Sequence, residues 1–237
     1  MGDLHDITAR ARPGEGGYAM TIQAHDFEPV RSAMPRRFYA RWLKRPFDVL
    51  FVALIAPVVV PVVLALAALA ALDGHNPFYG QWRIGRGGRR FRMWKIRTMV
   101  PNADAVLESH LAADPALRRE WDHHQKLSDD PRITWAGRLL RRSSLDELPQ
   151  FWNVITGDMS VVGPRPMMDS QAALYMGRAY YALRPGVTGP WQVSDRNETS
   201  FTERARFDED YATGLSLGSD LSLVGRTVGA MLRCTGR

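Results

Sequence analysis

The longest apolar segment of the chain covers residues 49–72, which include no polar side chain. At about 1.5 Å per residue, a helix over these positions would be long enough to cross the hydrocarbon core of a bilayer. Pro57 and Pro61 lie in the middle of the segment, where each removes a backbone donor and its ring clashes with the preceding turn. We therefore predict a helix that is broken near its middle.

Basic side chains flank this segment on both sides. Because positively charged flanks favour the cytoplasmic side of a membrane, a spanning helix would satisfy only one of them. A broken helix that enters and leaves the membrane on one side would satisfy both. The residues by themselves leave a kinked span and a re-entrant hairpin open. The basic residues are Arg36, Arg37, Arg41, Lys44 and Arg45 before the segment, and Arg83, Arg86, Arg89, Arg90, Arg92, Lys95 and Arg97 after it.

The remaining chain has the periodicity of a hairpin followed by helices. Aromatic and branched residues at 78–84 and 91–96 lie on either side of a glycine-rich turn at 85–88. The expected fold class is α+β and largely helical, with a β-hairpin in a small main domain. We therefore divide the chain into a flexible cytoplasmic extension over 1–40, a membrane segment over 41–73 and the main domain over 74–237. The helical patterns cover 103–127, interrupted at Pro115, and 133–142, 167–183 and 217–232.

Charge narrows the classes of partner. Lysines and arginines total 31 against 25 acidic residues, a formal net charge of +6. Such a balance suits nucleic acid, anionic lipid or phosphorylated substrates. The chain has no zinc-finger spacing, basic zipper or RNA-recognition signature, so we predict no nucleic-acid partner. Neighbouring His123 and His124 would point about 100° apart on a helix, which argues against a shared metal ion.

The candidate chemistry lies in one stretch. Arg141 and Arg142 precede the adjacent carboxylates Asp146 and Glu147, and Pro149 follows them, so a helix would end or bend there and leave the carboxylates accessible. Arginine forks match phosphate oxygens, and a divalent cation can bridge carboxylate to phosphate. The pattern therefore indicates a phosphoryl-transfer site. An amphipathic helix with surface ion pairs is the alternative for this segment taken alone.

Several motifs in fixed order resemble those of one family. The motifs are KRPFD at 44–48, WKIRTM at 94–99, SLDELPQ at 144–150, GDMS at 157–160, GPRP at 163–166, RPGVTG at 184–189 and QVSDRN at 192–197. Through them the chain, from about residue 41 to the C-terminus, resembles the bacterial sugar transferases. These are the monotopic polyprenyl-phosphate phosphoglycosyl transferases that begin exopolysaccharide, O-antigen and glycan assembly.

The resemblance implies a reaction and roles for particular residues. Sugar-1-phosphate would pass from a UDP-sugar to undecaprenyl phosphate through a covalent intermediate on Asp146, with release of UMP. Glu147 would support Mg²⁺ or proton transfer beside it, with Asp146 and Glu147 as the metal ligands. The implied location is the cytoplasmic face of the bacterial inner membrane, with a re-entrant helix that breaks at Pro61. The implied phosphate or substrate contacts are Arg141, Arg165, Lys95 and Arg184.

Two departures from the family pattern concern the sugar. Pro190 and Trp191 stand where many members carry Trp-Ala or Leu-Trp, and Asp195 stands where glycine is usual. The position of Trp191 matches the Leu-Trp group, which includes enzymes that start chains with glucose or galactose, so we expect a hexose. Two other functions remain open at this point. One is a non-catalytic adaptor on the membrane surface that holds anionic lipid. The other is a glycosyltransferase that moves the sugar alone and releases UDP.

Overall fold

The computed structural model describes residues 38–124, 127–194 and 203–232, so the predicted extension over 1–40 lies almost entirely outside the described residues. Within these ranges the protein is mostly helical and has two small sheets, in agreement with the predicted α+β class. The helices are α1 Lys44–Ala70, α2 Ala103–Ala113, α3 Pro115–His124, α4 Trp135–Ser143, α5 Gln150–Thr156, α6 Ala179–Ala182, α7 Arg204–Gly214 and α8 Leu217–Leu232, and the strands are β1 Phe78–Ile84, β2 Arg90–Ile96, β3 Ser160–Val162 and β4 Gly186–Thr188.

The apolar segment forms one continuous helix. By length and composition, Tyr39–Asp73 is the stretch of the described chain that is long and apolar enough to cross a membrane, and most of α1 is not buried by the rest of the protein. The predicted division into two helices is wrong, because α1 continues through Pro57 and Pro61. Proline fixes φ near −65°, which is a helical value, so the lost donors do not end the helix. The re-entrant path stays a prediction.

The first turns of α1 are bonded to the rest of the protein through buried charged side chains. The Asp48 carboxylate, which is fully buried, accepts hydrogen bonds from Ser160 Oγ at 2.9 Å and from Val161 N at 3.0 Å. Lys44 Nζ donates to Asp220 Oδ2 at 2.7 Å. Buried charges are tolerated when they are paired and hydrogen-bonded in this way. These bonds connect α1 to β3 and to α8, elements that are distant along the chain.

The predicted hairpin is confirmed. Strands β1 and β2 are antiparallel, with Phe78 opposite Ile96 and Ile84 opposite Arg90. Helix α5 packs on β2, where the buried Asn153 side chain donates to Arg92 O at 2.8 Å and accepts from Trp94 N at 3.0 Å. The hairpin and α5 are therefore joined through backbone groups of the strand.

The second sheet is a parallel pair, β3 and β4, whose backbones approach closely. A Cβ on Gly163 would overlap Arg184 O, and one on Gly189 would overlap Gly163 O. Only glycine allows this distance between the two segments, since it has no side chain to displace the neighbouring carbonyl. The turn at 163–166 is thereby held against the end of β4.

The helix predicted over 167–183 is wrong. The structure has a 3₁₀ stretch, Asp169–Leu174, and the single turn α6 in its place. The buried Tyr180 accounts for this, because its hydroxyl donates to Ile84 O at 2.5 Å and accepts from Met167 N at 3.0 Å. Met167 also pairs with Ile84 in an isolated β-bridge. Tertiary bonds to the hairpin thus replace the helical ones.

The other helical predictions are confirmed. The pattern over 103–127 forms α2 and α3, which begins at Pro115, the first-turn position where proline is best tolerated. The C-terminal pattern forms α8, whose buried Leu223 packs in the main hydrophobic core. That core also takes Val52 from α1 and Met159 from the turn after α5, so α1 and the rest of the described chain share it.

Candidate active site

Helix α4 ends just before the two adjacent carboxylates. Thr134 caps its start, and its Oγ1 accepts a hydrogen bond from Gly137 N at 2.9 Å. Ser144, with a positive φ of 57°, turns the chain out of the helix after Ser143. The predicted end at Pro149 therefore lies too late along the chain, because the left-handed serine interrupts the helical hydrogen bonds first. Pro149 instead precedes α5.

Asp146 and Glu147 occupy a 3₁₀ turn of their own, Leu145–Glu147. We expected both carboxylates to be accessible at a helix break. Asp146 is instead buried, with 8% of its surface exposed, while Glu147 is half-buried. The reason is that this turn packs against β2, which covers one side of it.

Lys95 on β2 reaches both carboxylates. Its Nζ donates to Glu147 Oε1 at 2.6 Å and lies 3.9 Å from Asp146 Oδ2. The sequence predicted Lys95 as a site residue, and the structure brings it to the pair. One ammonium group therefore neutralises part of the charge of two adjacent acids.

The electrostatics of Asp146 reflect this surrounding. Burial raises the pKa of Asp146 above its ordinary value, Lys95 opposes the rise, Glu147 adds to it, and Arg141 opposes it. Arg141 is itself half-buried, and its Nε donates to Thr98 Oγ1 at 2.9 Å. Burial lowers the pKa of Arg141, whereas the Asp146 carboxylate raises it. The two groups act on each other as an opposite-charge pair.

A pocket of about 270 Å³ opens beside the carboxylates and is called the active-site pocket below. It contains two of the predicted phosphate-binding residues, Lys95 and Arg165, together with Glu147. Asp146 and Arg141 do not line it, and Asp146 lies 3.9 Å from the Nζ of Lys95, which does. The lining residues are Arg83, Met93, Lys95, Glu147, Gln150, Arg165, Pro166, Met168, Gln171, Gly186, Val187, Trp191, Gln192 and Arg204.

Trp191 organises the arginines of this pocket. The guanidinium carbon of Arg165 lies 5.5 Å from the centre of the Trp191 ring, and that of the buried Arg204 lies 5.9 Å from it. Arginine stacks well on the face of an aromatic ring, which is electron-rich. The ring thus holds two cations on one wall of the pocket.

Sequence reasoning missed two arginines of the pocket, Arg83 and Arg204. Arg83 was counted only as part of a basic flank, although its place in β1 directs it to the pocket. Burial lowers its pKa, and the nearby Arg165 lowers it further. Arg204 carries no local signal, because it begins a helix rich in both acids and bases. The strand over 78–84 was predicted, but the face of it that meets the pocket depends on contacts distant along the chain. Such contacts define the place of Arg204 as well.

Arg184 is not brought to the carboxylates. It lines a second pocket, and its Nε donates to Gly157 O at 2.9 Å. Its predicted contact with the substrate phosphate stays a prediction. Asp158, which follows Gly157, is exposed, and its carboxylate accepts a hydrogen bond from Thr156 Oγ1 at 2.9 Å.

The carboxylate pair has the donor chemistry that suits Mg²⁺. No group of three or more His, Cys, Asp or Glu side chains that could hold a metal occurs in the described part of the chain. Mg²⁺ does not require one, because it usually binds one or two carboxylates together with waters and substrate phosphates. Asp146 and Glu147 fit that requirement, with Lys95 as the cation that at present contacts Glu147.

Comparison with known proteins identifies the family of the chain. The chain belongs to the bacterial sugar transferase family, whose model matches residues 39–234. Both the family and the enzyme class expected from the motifs are therefore confirmed.

Individual relatives match most of the chain. It is 44% identical to a UDP-galactose-lipid carrier transferase of Erwinia amylovora, over 83% of this chain and 42% of that protein. It is 44% identical to the exopolysaccharide production protein ExoY of Sinorhizobium fredii, over 79% of this chain and 84% of that protein. It is 42% identical to the undecaprenyl-phosphate galactose phosphotransferase of Salmonella typhimurium, over 83% of this chain and 42% of that protein. The chain thus spans less than half of two of these relatives.

Proposed function

We propose that this chain transfers a hexose-1-phosphate from a UDP-hexose to undecaprenyl phosphate, at the cytoplasmic face of a bacterial inner membrane, and so starts exopolysaccharide or related glycan assembly. The observation that carries the proposal is the contact of Lys95 with both Asp146 and Glu147 at the edge of an arginine-lined pocket. The names of the relatives support the substrate classes, and two of them specify galactose.

Asp146 is the proposed nucleophile. One of its carboxylate oxygens attacks the phosphorus that carries the sugar, and the bond from that phosphorus to the UMP oxygen breaks, with the electron pair leaving on UMP. A phosphate oxygen of the lipid then attacks the same phosphorus, which releases the carboxylate and forms the polyprenyl diphosphate sugar. The burial of Asp146 supports this role, because a poorly solvated carboxylate is a better nucleophile than one in water.

The cationic residues supply the conditions for that attack. Two anions, carboxylate and diphosphate, repel each other unless positive charge lies between them. Lys95 opposes the rise that burial causes in the pKa of Asp146, and Arg165 lines the pocket where the diphosphate would lie. The positive charge of Arg141 acts on the pKa of Asp146 in the same direction as Lys95.

Asp146 and Glu147 are the residues that would hold Mg²⁺. When bound, the ion would neutralise diphosphate charge beside the carboxylates. Glu147 also restrains Lys95 through their 2.6 Å hydrogen bond, which keeps the ammonium within reach of Asp146.

The test is a single-turnover reaction without a lipid acceptor. With radiolabelled UDP-galactose, the wild-type protein should release about one equivalent of UMP and retain labelled sugar phosphate. Asp146→Asn should do neither, because an amide does not attack phosphorus at a useful rate. Asp158→Asn is the matched control, since Asp158 is exposed and outside the pocket, and it should behave as the wild type.

Three results would overturn the proposal in different ways. UMP release only in the presence of polyprenyl phosphate would mean direct transfer without the covalent intermediate. Release of UDP would show transfer of the sugar alone. The absence of any turnover with all hexose donors and acceptor present would favour the adaptor function.

A further inference from the structure

A second pocket lies where α1 begins, and it is called the α1 pocket below. Its volume is about 610 Å³, and it shares no lining residue with the active-site pocket. The first turns of α1, the turn between β1 and β2, β3 and the segment between α6 and β4 form its walls. The lining residues are Ala40, Arg41, Lys44, Arg45, Asp48, Arg86, Ser160, Val162, Ala182, Leu183, Arg184, Tyr211 and Leu215.

The α1 pocket is strongly basic. Four guanidinium groups line it, and the only carboxylate in its wall, Asp48, already accepts bonds from Ser160 and Val161 and lies 3.5 Å from Lys44 Nζ. Lys44 is also paired with Asp220. In the described part of the chain, no carboxylate lies within salt-bridge distance of the four guanidinium groups, which are Arg41, Arg45, Arg86 and Arg184.

Two of these arginines are held in fixed positions at the inner part of the pocket. Arg45 donates to the carbonyl oxygens of Val154 and Ile155, which are the last turns of α5. Arg184 donates to Gly157 O, next to the same helix end. These carbonyls fix the orientation of the guanidinium groups but leave their charge uncompensated by a full negative charge. The remaining donor hydrogens of each fork are available to a ligand.

The cluster is unfavourable without a counter-ion. Burial lowers the pKa of Arg184, and the neighbouring Arg86 and Arg45 lower it further by like-charge repulsion. An anion in the pocket would remove this repulsion and satisfy the forks, and phosphate oxygens match arginine forks in pairs. The α1 pocket therefore suits a phosphate ligand.

The α1 pocket also lies beside the N-terminal end of the apolar helix. Arg41 and Arg45 stand just before the apolar residues that begin at Val49. Trp42, 60% exposed, lies beside them, with the Arg41 guanidinium 5.4 Å from its ring. Arginine and tryptophan next to an apolar helix mark the depth of lipid headgroups. Because the α1 pocket lies at headgroup depth, the phosphate available to it is the phosphate of a lipid headgroup.

We propose that the α1 pocket binds the phosphate of an anionic membrane glycerophospholipid, with Arg45 and Arg184 as inner contacts and Arg41 and Arg86 at the rim. This site is separate from the one that performs the transfer reaction, and the proposal does not depend on that reaction. Its effect is to fix the start of α1 at headgroup depth while the active-site pocket stays open to nucleotide and polyprenyl phosphate.

The test uses native mass spectrometry of the full chain released from detergent micelles, with dioleoyl phosphatidylglycerol added in increasing amounts. The variant is the double change Arg41→Gln and Arg86→Gln, because both side chains are exposed and neither is required for the core. The wild type should retain phosphatidylglycerol saturably. The variant should bind it at least about tenfold more weakly, since hydrogen bonds to charged groups each contribute that much or more.

A matched control separates this site from general charge effects. Arg89→Gln with Arg138→Gln removes the same net charge from two exposed positions outside the pocket and should leave lipid affinity within about threefold. Equal weakening in both double variants would overturn the assignment of the pocket. Two further arms identify the ligand: an excess of inorganic phosphate should not displace the lipid, and dioleoyl phosphatidylcholine should bind more weakly than phosphatidylglycerol. Displacement by phosphate would show a free-anion site, and equal binding of the two lipids would show that headgroup charge is not recognised.

Discussion

At the scale of single residues, Lys95 is the cation that contacts both acids of the site. It donates to Glu147 and lies 3.9 Å from Asp146, so one side chain couples the two acids. Asp146 is buried, which favours its neutral form, while its proposed role requires the ionised form. The nearest cation must therefore compensate for much of the lost solvation. Lys95 fulfils that condition within the strand, without a flexible loop.

Replacing Lys95 with Met should shift the acidic side of the pH–rate profile. Because Lys95 lowers the pKa of Asp146 against burial, its removal lets that pKa rise further, and a smaller fraction of Asp146 is ionised at a given acidic pH. The rate of single-turnover UMP release should then fall at a higher pH than in the wild type. Lys95→Arg keeps the charge and should move the profile back toward the wild type. An unchanged profile in Lys95→Met would contradict this role.

Asp208 should make stability depend on pH. Burial raises its pKa to about 6, while Tyr175 and Arg204 oppose the rise. The unfolded chain loses this proton near pH 4, so between about pH 4 and 6 the unfolded state binds fewer protons than the folded one. The free energy of unfolding should therefore fall by about 3 kcal/mol as the pH rises through that window. Urea unfolding at several pH values should show a smaller fall in Asp208→Asn, and an equal fall in both proteins would contradict the assignment.

At the scale of elements, the carboxylate turn is held from both sides. Gly137 brings α4 against Thr98, where a Cβ would overlap the Thr98 carbonyl oxygen. Asn153 joins α5 to the backbone of β2, the strand that carries Lys95. The separation of Lys95 from the two acids is thus fixed by two helix contacts on either side of the turn.

Asn153→Ala should lower stability by about 2–4 kcal/mol, because it leaves Arg92 O and Trp94 N without their partner in a buried position. The change in the urea midpoint measures this. Asn76→Ala removes one exposed amide contact to the backbone and should cost less than about 1 kcal/mol. If the two variants lose similar stability, the contact of α5 with β2 is not a main support of the turn.

The same elements show what sequence could and could not predict. The hairpin was accessible because strand alternation and a glycine turn are local patterns. Lys95 and Arg165 were predicted from the resemblance to the family, and the structure places both in the wall of the active-site pocket. The irregular chain around Tyr180 was not accessible, because its phenol bonds to a strand almost a hundred residues earlier. The burial of Asp146 likewise depends on β2. Ser144 ended α4 by its backbone conformation, which serine does not signal in sequence.

At the scale of the whole molecule, the apolar helix α1 leads to a prediction about membrane topology. We predict that both ends of the chain are cytoplasmic, because basic residues flank the apolar segment on both sides. In intact cells, an Ala24→Cys variant that also carries Cys234→Ser should not react with an impermeant thiol reagent. The parent chain with Cys234 alone should not react either, while both should react after the cells are opened. Labelling at one end from outside would show a spanning helix.

The buried bonds at the start of α1 affect how the purified protein can be prepared. Tyr39, just before α1, and Lys44, in its first turn, donate hydrogen bonds to Asp220. Asp48, in the second turn, accepts hydrogen bonds from Ser160 and Val161. A chain shortened to begin after Asp73 would lose the apolar helix and would also leave the buried Asp220 carboxylate without its ammonium partner. Removing one member of a buried ion pair costs about 3–5 kcal/mol, a large share of the stability of most domains. A chain without α1 should therefore be less stable, and preparing the protein with the intact helix in detergent or a lipid nanodisc should preserve these bonds.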